Sequence, residues 1–158
     1  MPADRARIGA VVLAGEALTR LSPELEADRA QAVADLLAGS VFEPAGLSPG
    51  RHTLHLSIQD GRLVFDIRDA AGTPEAAIVL ALGPFRRLIK DYQLLVDSHI
   101  DAVHGGRESR IQAIDMGRRG LHNEGADLLM QRLKGKIALD FATARRLFTL
   151  ICVLHQRG

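Results

Sequence analysis

Residues 52–68, HTLHLSIQDGRLVFDIR, contain the clearest structural signal in the chain. Two runs of alternating apolar and polar residues flank Asp60-Gly61, a pair typical of a two-residue hairpin turn. This turn places Gln59 opposite Arg62 and thereby fixes the register of the two strands. Six apolar side chains then share one face: Leu54, Leu56, Ile58, Leu63, Phe65 and Ile67. Because turn and pattern agree, we predict an antiparallel hairpin with one buried face.

Further strands are predicted on either side of this hairpin. Residues 6–14 contain a short apolar run with β-branched residues at its centre, which predicts a buried strand. A second hairpin through residues 70–74 leads into Glu75–Leu82. Since this strand is apolar on both faces, we expect it to be central in the sheet or covered.

Helices are predicted both before the hairpin and after the last strand. Ser22 followed by Pro23 is typical of a helix start, and Gly39 of a helix end. Beyond Gly83 the apolar period changes to 3.6, and Pro84 opens a helix that ends at Gly105-Gly106.

Two more helices follow. Ser109 and Gln112 form the pattern of a capping box at the start of the next helix, which Gly135 closes. Three glycines, Gly117, Gly120 and Gly125, either break this helix, with Asn123 as a new N-cap, or allow another helix to approach closely. Asp140 caps the last helix. The apolar residues of this helix cover more than one face, so we expect the helix to lie in the core or to form a dimer interface.

These elements predict an α+β fold, with an antiparallel β-sheet of four or five strands, one N-terminal helix and a C-terminal bundle of three helices packed on it. The 158 residues fit a single domain, 1–158, of which 1–83 are mainly sheet plus one helix and 84–158 are helical. The single cysteine, Cys152, excludes an internal disulfide and fits a reducing compartment. No apolar stretch approaches the ~20 residues of a membrane span, so we expect a cytoplasmic protein.

Charge is unevenly distributed along the chain. Residues 1–83 contain 7 Lys/Arg and 11 Asp/Glu, whereas residues 84–158 contain 13 and 8. Three arginine pairs, Arg86-Arg87, Arg118-Arg119 and Arg145-Arg146, fall on the predicted C-terminal helices. Guanidinium groups match carboxylates and phosphates, and cations at a helix start need a compensating anion. The predicted anion-binding residues are Arg86, Arg87, Lys90, Arg118 and Arg119.

The alternative is that these arginines form internal salt bridges. Arg87 lies one helical turn before Asp91, a spacing that favours an ion pair. Arg118 or Arg119 would then pair with Asp115 or with acids of the N-terminal half.

His122 and Glu124 lie beside one of the arginine pairs, and a histidine and a carboxylate there are the ingredients of acid–base catalysis on a phosphate ester. Both are therefore catalytic candidates, although residues two apart diverge on a helix. Alternatively, Asn123 caps a helix and Glu124 interacts with its dipole.

No metal site and no cofactor are predicted. His52 and His55 point to opposite faces of a strand and cannot hold one metal ion, and CxxC and HExxH motifs are absent. We expect His55 to form a cross-strand ion pair with Asp66. We expect Cys152 to be a buried, unreactive packing residue.

Four blocks of sequence resemble a small bacterial family, uncharacterised protein family zero-two-six-two. They are LSIQDGRLVFDIRD at 56–69, LGPFRRLIKDY at 82–92, IDMGRRGLHNEGADLL at 114–129 and FATARRLFTLICVLH at 141–155. The resemblance implies a bacterial cytoplasmic protein and no particular activity, cofactor or substrate.

Three functions remain open from the residues themselves. The first is a non-enzymatic binding or regulatory module that holds an anionic partner on the arginine-rich helical face. That partner would be a phosphorylated small molecule, an RNA backbone or an acidic protein surface. The second is a small hydrolase or transferase acting on a phosphorylated substrate with His122 and Glu124. The third is a structural homodimer formed through residues 141–154.

Overall fold

The computed structural model describes residues 7–15, 21–47 and 50–155. Their strands are β1 (Arg7–Ala14), β2 (Phe42–Pro44), β3 (Arg51–Gln59), β4 (Arg62–Arg68), β5 (Pro74–Ala81) and β6 (Ile137–Leu139). The helices are α1 (Pro23–Ala38), α2 (Arg86–His104), α3 (Glu108–Leu133) and α4 (Phe141–Leu154), and a short 3₁₀ turn at Gly83–Phe85 precedes α2. The α+β class is therefore confirmed, with one early helix and three later ones.

The hairpin of β3 and β4 forms as the sequence predicts. Gln59 pairs with Arg62, Ile58 with Leu63, and the register continues without a shift through this ladder. Asp60 and Gly61 both have positive φ angles, 52° and 71°. Such angles are those of a type I′ turn, whose twist matches that of the flanking strands.

The main sheet has four strands in the order β1-β3-β4-β5. Two of its three ladders are antiparallel, but β1 runs parallel to β3, so the sheet is mixed where a purely antiparallel sheet was expected. The parallel pair arises because α1 lies between the two strands in sequence and carries the chain back to the starting edge.

Strand β5 lies at an edge of the sheet, so the prediction of a central or covered strand was wrong. Its inward side chains Ala76, Ile78 and Leu80 pack against the core. On the other face Val79 keeps 47% of its surface exposed. The apolar pattern on both faces did not predict the position of β5 in the sheet, because its outward apolar residues are small.

A second, two-stranded sheet joins β2 to β6, and it was not predicted. Each strand is only three residues long, too short to show an apolar period. The ladder ties the segment after α1 to the loop before α4.

Helix α3 is continuous over 26 residues, so the glycines do not break it. Gly125 permits close approach instead, since a Cβ atom there would lie 2.4 Å from the Phe148 ring. The predicted capping box is absent because the helix begins at Glu108, and its N-cap Arg107 makes no side-chain cap bond. The other predicted caps are confirmed: Ser22 accepts from the Leu25 amide and Asp140 from the Thr143 amide.

Helix α4 lies at the centre of the core. From Ala144 to Leu154 only Arg145 and Arg146 are not fully buried. The apolar faces that suggested a dimer interface at residues 141–154 are thus used within one chain. No described helix is both long and apolar enough to span a bilayer.

Candidate anion-binding cleft

A polar cleft of about 160 Å³ opens between α1, α3 and α4. Helix α1 contributes Asp28 and Asp35, which lie seven residues apart and therefore on one face of the helix. Helix α3 contributes His122. Helix α4 contributes a group of three at its otherwise buried surface: Arg145, Arg146 and Thr149.

Both carboxylates of the cleft are already neutralised by neighbours. Asp35 accepts from Arg146 Nε at 3.0 Å and from Gln31 at 2.9 Å. Asp28 accepts from the Tyr92 hydroxyl at 2.5 Å and from Arg118 Nη2 at 2.6 Å. Each acid therefore already has an arginine partner.

Arg145 is the exception in this arrangement. Its Nε atom is buried and has no hydrogen-bond partner among the described residues, and no described carboxylate lies within ion-pair distance of its guanidinium group. A buried donor without an acceptor is destabilising. The cleft therefore contains one arginine without an acidic partner among the described residues, and one unsatisfied buried donor.

His122 and Thr149 form the neutral wall of the cleft. The Thr149 hydroxyl donates to the Arg145 carbonyl at 3.2 Å, and its Oγ1 lies 3.4 Å from His122 Nε2. Burial, together with the charges of Arg118 and Arg145, lowers the pKa of His122 from its ordinary 6.5 to about 4. The imidazole is thus neutral at physiological pH and adds no charge.

A second polar cluster adjoins the cleft and holds Arg118, whose side chain is only 15% exposed. Arg118 contacts Glu24 at 3.2 Å and Asp28 at 2.6 Å, and its guanidinium carbon lies 5.8 Å from the centre of the Tyr92 ring. Burial, with the charge of Asp28, raises the pKa of Tyr92. His99 extends the cluster, with its Nδ1 2.9 Å from Glu24. Arg118 therefore joins α3 to α1.

The five predicted anion-binding residues do not converge on one surface. Arg118 turns inward, as described, whereas its neighbour Arg119 is exposed. Arg87 pairs with Asp91 at 3.2 Å and with Glu124 at 2.8 Å. Arg86 and Lys90 are exposed at the start of α2. The alternative of internal salt bridges is confirmed for Arg87 with Asp91 and for Arg118 with acids of the N-terminal half.

The two catalytic candidates lie in different places. His122 faces the cleft between α1, α3 and α4, while Glu124 binds Arg87 and lines a separate groove between α2 and α3. Residues two apart on a helix point about 200° apart. The two side chains therefore cannot act on one substrate atom. Asn123 lies inside the continuous α3 and caps nothing.

The histidines of the sheet also differ in part from expectation. His55 does stand opposite Asp66 in the register, but Asp66 accepts from Arg68 at 2.8 Å in place of the expected ion pair with His55. His52 is buried on the other face, with its Nδ1 2.8 Å from Glu75. Within the described ranges no three His, Cys, Asp or Glu side chains are arranged to hold a metal ion. Cys152 is fully buried, and burial raises the pKa of its thiol.

Arg145-Arg146 stands out in the sequence as a pair, but these two residues were not among the predicted anion-binding residues. A signal was present on α1, where Asp28 and Asp35 repeat at a spacing of seven on a helix face that also buries Leu25 and Ala32. Which arginine pairs with which acid depends on how α1 crosses α4, and no local pattern contains that information.

The chain matches one family of known proteins. The model of a family described as Uncharacterised protein family (UPF0262) matches residues 5–157. The chain belongs to this family. It is 65% identical to a UPF0262 protein of Granulibacter bethesdensis, over 96% of this chain and 90% of the relative.

Other UPF0262 relatives are similar over nearly their whole length. The chain is 62% identical to one from Acidiphilium cryptum, covering 98% of this chain and 95% of the relative. It is 52% identical to one from Rhizobium meliloti, covering both chains completely. All three relatives are bacterial. No solved structure matches the chain.

Proposed function

We propose that this UPF0262 chain is a non-enzymatic binding module that holds a small anion, inorganic phosphate or the phosphoryl group of a metabolite, in the cleft between α1, α3 and α4. The observation that carries the proposal is the buried Nε of Arg145, which lacks an acceptor among the described residues. An anion in the cleft would supply that acceptor once the Arg145 side chain turns its Nε towards the ligand.

The pattern of ion pairs supports an anion over a cation or a neutral ligand. Arg146 pairs with Asp35, and Arg118 pairs with both Glu24 and Asp28, so Arg145 is left without an acidic partner among the described residues. A partly buried cation is costly unless it is paired. The guanidinium fork presents parallel donors that fit phosphate or carboxylate oxygens.

The size of the cleft favours a small ligand. Its volume of about 160 Å³ has room for several water molecules. A phosphoryl group fits such a space, with the rest of a metabolite extending towards solvent. An RNA backbone or an acidic protein surface would instead contact the exposed cations Arg86, Lys90 and Arg119.

Binding without turnover agrees with the chemistry of the cleft better than catalysis does. Both carboxylates there are held in ion pairs, and Glu124, the intended partner of His122, lies in another groove. A hydrolase or transferase that used both residues would need them on one side of α3.

Isothermal titration of the purified protein with inorganic phosphate tests the proposal. Loss of a charge-assisted hydrogen bond costs ~1.5–3 kcal/mol, so Arg145→Gln should weaken binding by roughly ten- to a hundredfold. Arg119→Gln removes an equal charge from the exposed face of α3 and should leave the affinity unchanged. Equal losses in the two variants, or no saturable heat with the wild type, would show that the cleft is not the site.

A further inference from the structure

The outer edge of β5 is a long strand edge without a partner in the described chain. Within the sheet, β5 pairs only with β4. One side of its backbone therefore presents amide and carbonyl groups to the surroundings over eight residues. Such an edge is a template for pairing with another strand.

The sequence of β5 has few of the features that protect an edge strand from pairing with another strand. Natural edge strands are protected by lysines, prolines, bulges or a covering segment. In β5 the proline is the first residue, Pro74, and the register shift between Ile67 and Arg68 falls opposite that same end. Residues 76–82, AAIVLAL, have no charge, and Val79 is 47% exposed among them.

We propose that β5 pairs with β5 of a second copy of this chain, antiparallel about a twofold axis, so that the two sheets join into one of eight strands. A dimer of this kind is isologous, with the same surface contributed by each copy. Main-chain hydrogen bonds supply the contact, as in other cases of strand addition. The inference is independent of anion binding in the cleft.

The strand is complementary to itself. With the axis at Ile78, Ala76 of one copy faces Leu80 of the other and Ala77 faces Val79. Inward residues therefore meet inward residues, and the apolar layer continues across the junction. The one charged residue of β5, Glu75, faces Ala81 of the other copy, so like charges do not meet across the junction.

The expected contact area is at the lower limit for a specific dimer. Eight residues at ~3.4 Å each give an edge of about 27 Å. A sheet backed by one helix layer is roughly 20 Å thick. Each copy then contributes roughly 500 Å², and the total reaches the lower range of specific interfaces, ~1,000 Å².

Sedimentation equilibrium of the wild type and two matched variants tests the proposal. The wild type should be a dimer. Val79→Lys adds two like charges beside the twofold axis and should give a folded monomer. Val12→Lys is the control, because Val12 is exposed to a similar extent, 43%, on the opposite edge strand β1; it should remain a dimer.

Hydrogen exchange gives a second measurement if Val79→Lys fails to fold. Amides on the outer edge of β5 should be protected in the concentrated wild type and should lose protection on dilution. A monomeric wild type, including one whose β5 edge binds some other extended peptide, would overturn the proposal. So would a folded Val79→Lys variant that remains dimeric.

Discussion

At the scale of single residues, glycines in the same helix have opposite roles. Gly125 of α3 lies directly against the Phe148 ring, whereas a Cβ at Gly120 would meet nothing within 4 Å. Composition alone gives both the same helix propensity. The contact with α4 distinguishes the two glycines. The sequence does not show this contact, so it left open both a broken helix and a close approach of another helix.

We predict opposite effects of alanine at these two positions. Gly125→Ala forces Phe148 to move, and overpacking of a filled core costs roughly 1–3 kcal/mol. Gly120→Ala should instead stabilise the protein by up to about 1 kcal/mol, the difference in helix propensity. Urea denaturation of the two variants measures both free energies of unfolding. Equal stabilisation by the two substitutions would contradict the tight contact with Phe148.

His122 predicts a pH dependence of stability. In the unfolded chain its pKa is near the ordinary 6.5, and in the folded protein it is about 4. Between these values the unfolded state binds the additional proton, so the free energy of unfolding falls as the pH is lowered through this window. The full difference is on the order of 3 kcal/mol.

This dependence can be measured by urea denaturation at pH 7 and pH 4.5. His122→Gln should remove most of the loss seen in the wild type over that interval. An imidazole that titrates near pH 6.5 in the folded protein by NMR would be inconsistent with the buried, arginine-flanked site.

At the scale of elements, the caps at Ser22 and Asp140 were predictable, the start of α3 was not, and the sheet neighbours were predictable only in part. Ser22 and Asp140 were recognised because capping is local, a side chain bonding to an amide three residues later. The β3–β4 register followed from a two-residue turn. The edge position of β5 and the parallel pairing of β1 depend on contacts between distant segments, which alternation of apolar residues does not specify.

The N-cap of α4 provides a test at this scale. Asp140 accepts from the Thr143 amide at 2.8 Å, so Asp140→Ala should lower the free energy of unfolding by about 1 kcal/mol. Asp140→Ser keeps a cap acceptor and should retain most of the stability. Thermal melts of the two variants would conflict with the capping role if both lost the same amount.

At the scale of the whole molecule, the charge asymmetry of the two halves becomes a set of contacts between helices. Acids of α1 pair with arginines of α3 and α4: Asp28 and Glu24 with Arg118, and Asp35 with Arg146. The sequence left open whether the acidic N-terminal half pairs with the basic C-terminal half. Which arginine would be left over, Arg145, could be seen only after the helices were packed.

The central claim is that an anion binds beside Arg145, and NMR of the arginine side chains tests it most directly. Phosphate is titrated into ¹⁵N-labelled protein while the Nε–Hε signals are followed. We predict a saturable shift of the Arg145 signal, with smaller shifts at Arg146 and in the His122 ring. Saturable shifts confined to Arg86 and Arg119 would contradict the account, as would a titration in which no arginine signal saturates.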